Sequence, residues 1–145
     1  MIRYQKMIYR ADLRANPDTL YVFGDNEQRV GNGGQAGEMR GEPNAIGVAT
    51  LSFEHPWGDH DFLHQAAVID ADLAPVVAAL LLGQEVVLPL DGIGTGIAQL
   101  RERSPGTFEH LQIRWRQLAL VRRSLTKLAL TPRRDPAAFT RRVLG

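Results

Sequence analysis

The sequence predicts a single α/β domain with a mixed, mostly parallel sheet, and three observations point that way. Short β-branched and aromatic runs recur along the chain, a helical pattern lies between two of them, and glycine-rich loops follow two of the runs directly. With 145 residues, 44% of them apolar, the chain is long enough for one domain with a sizeable core and too short for two comfortable ones.

The elements are taken in chain order. MIRYQKMIYR adds an edge strand, and DLRAN makes a short helix before Pro17. Residues 19–23 (TLYVF) form a buried strand ended by Gly24, and QAGEMR opens a helix behind the first glycine loop. Residues 45–50 (AIGVAT) and 85–90 (EVVLPL) are the next two strands. Between them, IDADLAPVVAALLLGQ reads as a helix capped by Asp70 or Asp72, with Pro75 in its first turn and Gly83 at its end. DGIGTG is the second glycine loop. From around Pro105 a further helix runs through FEHLQIRWRQLALVRRSL, with Phe108, Leu111, Trp115, Leu118 and Val121 on its apolar stripe. The domain spans 1–131, and 132–145 is a basic C-terminal tail with a short helix packed on the domain.

Composition removes several chemistries. There is no cysteine, which excludes disulfide frameworks, thiolate metal sites and cysteine nucleophiles. The N-terminus lacks a signal-peptide pattern and the longest apolar run, residues 76–82, is too short to cross a bilayer, so a soluble cytoplasmic protein with no membrane partner is expected. Charge is segregated: residues 1–100 carry 6 Lys/Arg against 13 Asp/Glu, and residues 101–145 carry 11 against 3. The basic end either attracts phosphates or is a solvated helix face and a tail.

In an open α/β sheet, ligands sit outside the carboxyl ends of the strands. Both glycine clusters fall there. Glycine permits positive φ and removes the Cβ, so backbone amides can approach a ligand and cradle a phosphate. Neither loop fits the P-loop or the GxGxxG dinucleotide pattern. The candidate ligand-binding residues are Gly24, Asp25, Asn26, Asn32, Gly33, Gly34 and Gln35 in the first loop, and Gly92, Gly94, Thr95, Gly96 and Ile97 in the second.

YVFGDN, GNGGQAG and VVLPLDGIGTGIAQLRERSP together resemble macro domains, the ADP-ribose-binding α/β/α modules, over about residues 19–108. Pro89 followed by Gly94, Thr95, Gly96 and Ile97 is similar to that family's second phosphate-binding loop. Of the paired asparagines before the family's first glycine cluster, Asn26 alone is represented. The resemblance implies a three-layer α/β/α domain. It also implies a site holding the diphosphate of ADP-ribose or a related nucleotide, either free or on an ADP-ribosylated macromolecule, with binding alone or hydrolysis of an ADP-ribosyl linkage as its activity. LDGIGT is also similar to the PGGxGT motif of lysine-decarboxylase-like nucleoside-monophosphate phosphoribohydrolases, although Ala98 and Gln99 stand where those enzymes carry a glutamate.

Among polar residues, Asp91 at a strand end either orients a water as general base or opens a glycine turn. Asp25 and Asn26 either hold a base or ribose or close an Asx turn, and Asn44 carries the same two readings. Asp91 and Asn26 are the candidate catalytic pair. Arg40 either reaches a phosphate or favours a helix C-terminus, and Thr95 either donates to a phosphate oxygen or caps the chain from Ile97 onward. HPWGDHDFLH gathers His55, His60 and His64 with Asp59 and Asp61, but without a zinc spacing or a partner cluster beyond the isolated His110, so neither a metal nor a cofactor is expected. In the same segment Trp57 and Phe62 either lie over a bound base as a flap or close the core. Arg114, Arg116, Arg122 and Arg123 suggest nucleic acid as a lesser alternative partner, although Trp115 lies on the apolar stripe and reads as core.

Overall fold

A computed structural model describes residues 1–96 and 98–123. Its elements are β1 (Ile2–Gln5), α1 (Arg10–Ala15), β2 (Leu20–Asn26), α2 (Gln35–Met39), β3 (Ala45–Leu51), a 3-10 turn at Asp59–Asp61, α3 (Phe62–Leu81), β4 (Val86–Pro89), α4 (Leu100–Arg103) and α5 (Pro105–Leu118). The last helix ends at Leu118 with Ala119 as its C-cap, so its expected continuation through Val121 to Arg123 is corrected to turn and irregular chain; the rest of that expected run, the expected tail helix in 132–145, and Ile97 lie outside the described residues.

The four strands form one sheet in the order β1-β4-β2-β3, and every pair among the described residues is parallel. The expected mixed sheet is therefore corrected to an all-parallel one. Each strand returns through a helical crossover, which brings the next strand in with the same direction. Such strands are covered on both faces and read as unbroken apolar runs, which is why LYVF and VVLP stand out in the sequence. Leu20 and Val22 of β2 and Val86 and Leu88 of β4 feed one apolar cluster, built with α3, α4 and α5. Tyr21, Phe23 and Val87 feed a second, built with Leu13 of α1 and Ala36 and Met39 of α2. Trp115 packs against the first cluster, in keeping with its place on the apolar stripe.

Helix α3 begins at Phe62, eight residues before the expected cap. Its start is fixed by a tertiary bond: the Gln65 side-chain amide donates to Gly58 O at 2.7 Å. Pro75 is thus inside the helix, on an exposed turn where water can reach the Ala71 carbonyl that loses its N–H donor. Neither aspartate caps. Asp72 accepts the Ala49 N–H at 2.8 Å, on the free edge of β3, and receives Arg29 Nη2 at 2.7 and 2.8 Å. Arg29 Nη1 also reaches Gly47 O at 3.3 Å, so two of the edge strand's outward backbone groups, Ala49 N–H and Gly47 O, are taken by charged side chains, which disfavours pairing with another strand. By length and composition, the helical stretch Asp59–Leu81 would be able to cross a membrane, which the apolar runs of the sequence do not suggest; in the fold Ile69, Leu73, Val76 and Leu80 pack it onto the sheet.

Two polar contacts join α3 to α5. Gln65, Ser104 and Thr107 are all buried, and Gln65 Oε1 receives Thr107 Oγ1 at 2.6 Å and Ser104 Oγ at 2.9 Å. Ser104 is also the residue before Pro105, where the proline's missing N–H costs nothing. Nearer the helix centres, Asp70 pairs with His110 Nε2 at 2.8 Å and Arg114 Nε at 3.0 Å. Burial pushes the Asp70 carboxyl up, but the Arg114 and His110 hydrogen bonds outweigh it and hold the group below the ordinary aspartate range.

Gln65→Leu leaves two buried hydroxyls and the Gly58 carbonyl without their shared partner, and should cost about 2–3 kcal/mol in urea unfolding. The Asp70 pair contributes stability above the unfolded aspartate pKa and loses it as pH falls through the lower folded value. Wild type and Asp70→Asn should therefore differ at neutral pH and converge in thermal melts as pH drops below about 4.

Candidate functional site

The two glycine loops meet. A cleft of about 380 Å³ opens at the carboxyl edge of the sheet, between the loop after β2 and the loop after β4. Of the residues expected from the sequence, Gly24, Asp25, Asn26, Gly33, Gly34, Gln35, Gly92, Gly94, Thr95 and Gly96 line it. Asn32 and Asp91 are exposed and stand outside the lining. The sequence reading missed Val30, Thr50 and Phe53, which also line it.

The loops come close at two glycines, of which Gly94 is required by its positive φ. A Cβ on Gly24 would meet Ile93 at 3.4 Å, and one on Gly94, where φ is +77°, would meet Leu100 and Thr50 at 3.4 Å. Among the described residues, the backbone N–H groups of Gly33, Gly34 and Gln35, and those of Gly94, Thr95 and Gly96, donate to no protein acceptor. Six amides from the two loops that line one cleft are therefore left without protein partners, the kind of group from which anion-binding concavities are built.

The floor of the cleft is an ion-pair network. Asp25, 7% exposed, takes Arg40 through both oxygens, Nη2 to Oδ1 at 2.7 Å and Nη1 to Oδ2 at 3.1 Å. Oδ1 also accepts the Asn26 N–H at 2.8 Å, and Arg29 Nη1 lies 3.7 Å from Oδ2. Arg40 holds the loop above it as well, donating from Nε to Gly31 O at 2.9 Å and from Nη2 to Val30 O at 3.2 Å. The Arg40 side chain thus takes neither of its two expected roles as its main one: it is held by Asp25 and by the loop carbonyls of Val30 and Gly31. Arg29 reaches the network from a left-handed conformation, φ +58°, which is costly for a side-chain residue and is held by its bonds to Asp72.

The amide side chains close their own loops. Asn26 Nδ2 donates to Val30 O at 2.7 Å and its Oδ1 accepts the Val30 N–H at 3.3 Å, the Asx-type turn. Gln35 makes a reciprocal pair with the Ile8 backbone, both bonds 2.9 Å. Asn44 is buried with its Nδ2 within 3.0 Å of the Leu13, Asn16 and Thr19 carbonyls, so it joins α1 to β2. Helix α2 has only five residues and could not persist alone. It is held by Arg10, whose N–H goes to Glu38 Oε2 at 2.9 Å and whose guanidinium goes to Gly37 O and to Glu42. That Arg10 hydrogen bond holds the Glu42 carboxyl below its usual range.

The histidine segment lies apart from the cleft. Trp57 is buried in the core with its indole N–H on Glu27 Oε1 at 2.6 Å, and Phe62, half-buried, stacks edge-on with His110; neither lines the cleft as a flap. His64 Nε2 also meets Glu27, at 3.0 Å. No three histidine, aspartate or glutamate side chains converge as a metal site among the described residues. Arg114 is engaged by Asp70 on the α3–α5 face, outside the cleft lining.

Removing one partner of a buried pair strands the other charge. Arg40→Met should therefore destabilise the fold by about 3–5 kcal/mol in urea titrations. Gly47→Ala should be damaging through the same network, because the new Cβ would run into the Asp25 carboxylate; the double variant should lose less than the two single losses combined.

No curated protein and no solved structure matches the chain. A family of unknown function, DUF7831, matches residues 3–114, a span that contains both glycine loops and all of the sheet except Ile2. The chain is a member of DUF7831.

Proposed function

We propose that the cleft binds the diphosphate of ADP-ribose or a related nucleotide, in a macro domain-like domain of three α/β/α layers. The observation that carries this reading is the convergence of two glycine loops on one cleft, with amides from both turned to no protein acceptor among the described residues. The volume suits a small ligand and the position suits the general rule for open α/β sheets. The apolar clusters on the two sides of the sheet support the layered arrangement.

Binding without turnover fits the geometry better than hydrolysis. The carboxylate in the lining is Asp25, already engaged by two arginines, and the Asn26 amide is spent on Val30. Asp91 stands outside the cleft. A base needs a free lone pair within hydrogen-bond reach of the proton it takes.

Calorimetric titration with ADP-ribose should give saturable, micromolar binding. Gly33→Glu and Gly96→Glu, at positions without positive φ, should abolish it by placing a carboxylate where the diphosphate lies. Because Arg40 is the sole lysine or arginine in the described lining and each of its guanidinium nitrogens already donates to the protein, affinity should change by no more than about twofold between low and physiological salt. Absence of binding to ADP-ribose, AMP and NAD alike would overturn the reading.

A further inference from the structure

We infer that the cleft is a base-tolerant nucleotide site, one that holds a nucleobase by stacking on Phe53 and has no side chain free to tell one base from another. This rests on the diphosphate reading above and extends it to the other end of the ligand. Phe53 is 63% exposed yet lines the cleft, and Val30, 52% exposed, lines it too, so a glycine-built site carries two apolar side chains open to solvent. The phenyl ring is placed by the backbone beneath it: Gln28 Oε1 accepts the Phe53 N–H at 2.8 Å, while Gln28 Nε2 donates to Ser52 Oγ at 3.0 Å. Gln28 lies just past the end of β2, so the aromatic wall is tied to the first glycine loop's own strand and keeps its position relative to the phosphate cradle.

The polar side chains in the lining are already committed. Asp25 and Arg40 hold each other, Asn26 holds Val30, Gln35 holds Ile8, and the Thr50 hydroxyl donates to Asp25 O at 3.4 Å. Thr95 alone keeps a side-chain hydroxyl with no protein partner among the described residues, and it belongs to the second phosphate loop. Sites that discriminate by hydrogen bonding reject the wrong analogue because their own buried groups are left unpaired; a stacking wall has no such group and accepts any planar ring. The ligand class is therefore a nucleoside diphosphate or its sugar ester, with the base identity open.

The test titrates the full chain with ADP, GDP, UDP and inorganic pyrophosphate, using wild type, Phe53→Ala and Phe53→Trp. Phe53 is exposed and its backbone N–H makes the Gln28 bond, so alanine keeps the fold and the loop. Wild type should bind ADP and GDP within roughly threefold of each other, as a wall without hydrogen-bond readout requires. Phe53→Ala should weaken all three nucleotides by about 5- to 100-fold, the usual worth of one stacked base, towards the affinity of pyrophosphate, which itself should not change. Phe53→Trp should keep nucleotide affinity. A preference above roughly 30-fold for one purine would show a group that reads the base and overturn the inference. Unchanged nucleotide binding in Phe53→Ala, or nucleotides no tighter than pyrophosphate in wild type, would overturn it while leaving the diphosphate reading standing. Failure of pyrophosphate and all nucleotides to bind would overturn both.

Discussion

The ion pair between Asp25 and Arg40 is the constraint around which the first loop and its neighbours are arranged. A carboxylate this buried is costly unless its oxygens are filled, and here they are filled by a bidentate guanidinium, a backbone N–H and a second arginine. Several otherwise unrelated features stem from that need. Gly47 sits opposite on β3 because any Cβ there would occupy the space of the carboxylate. Arg29 accepts a left-handed backbone to reach the same site and Asp72 together. Arg40, anchored by Asp25, takes the carbonyls of Val30 and Gly31 and so fixes the shape of the loop above. The pair thus converts a strand end into a rigid support for a glycine-rich segment with little regular structure of its own.

The same economy runs through the rest of the cleft. Its amide side chains are turned inward to brace a loop and a short helix, so that backbone makes up much of the lining. Gly37 lacks a Cβ so that the Asn32 carbonyl can close over the first turn of α2, and Gly94 takes the positive φ its loop needs beside Leu100 and Thr50.

Much of this fold is legible from residue order. The three central runs read as strands because a parallel sheet covered on both faces needs apolar residues at successive positions. The glycine clusters read as loops at strand ends because glycine adopts positive φ at little cost, as Gly31, Gly34, Gly92 and Gly94 do. Where the reading failed, long-range contacts were the cause. Helix α3 starts early because Gln65 finds Gly58 and Ser104, and the aspartates expected as caps are drawn to Arg29, Arg114 and His110 from other elements. Phe53 carried no periodic signal, since it lies beyond a strand end in a polar loop; Trp57, more conspicuous in the sequence, was taken up by the core, and Phe62 went to an edge-on contact with His110.

The sequence by itself determined the α/β class, the strands, the helix α5 and the positions of both glycine loops, because each is a local consequence of side-chain size, φ preference and periodicity. Only the tertiary structure decided that all strands run parallel and that the two loops share one cleft. It alone assigned Asp25, Asn26 and Gln35 to bracing, since whether a polar side chain is free depends on partners up to tens of residues away that no local pattern records.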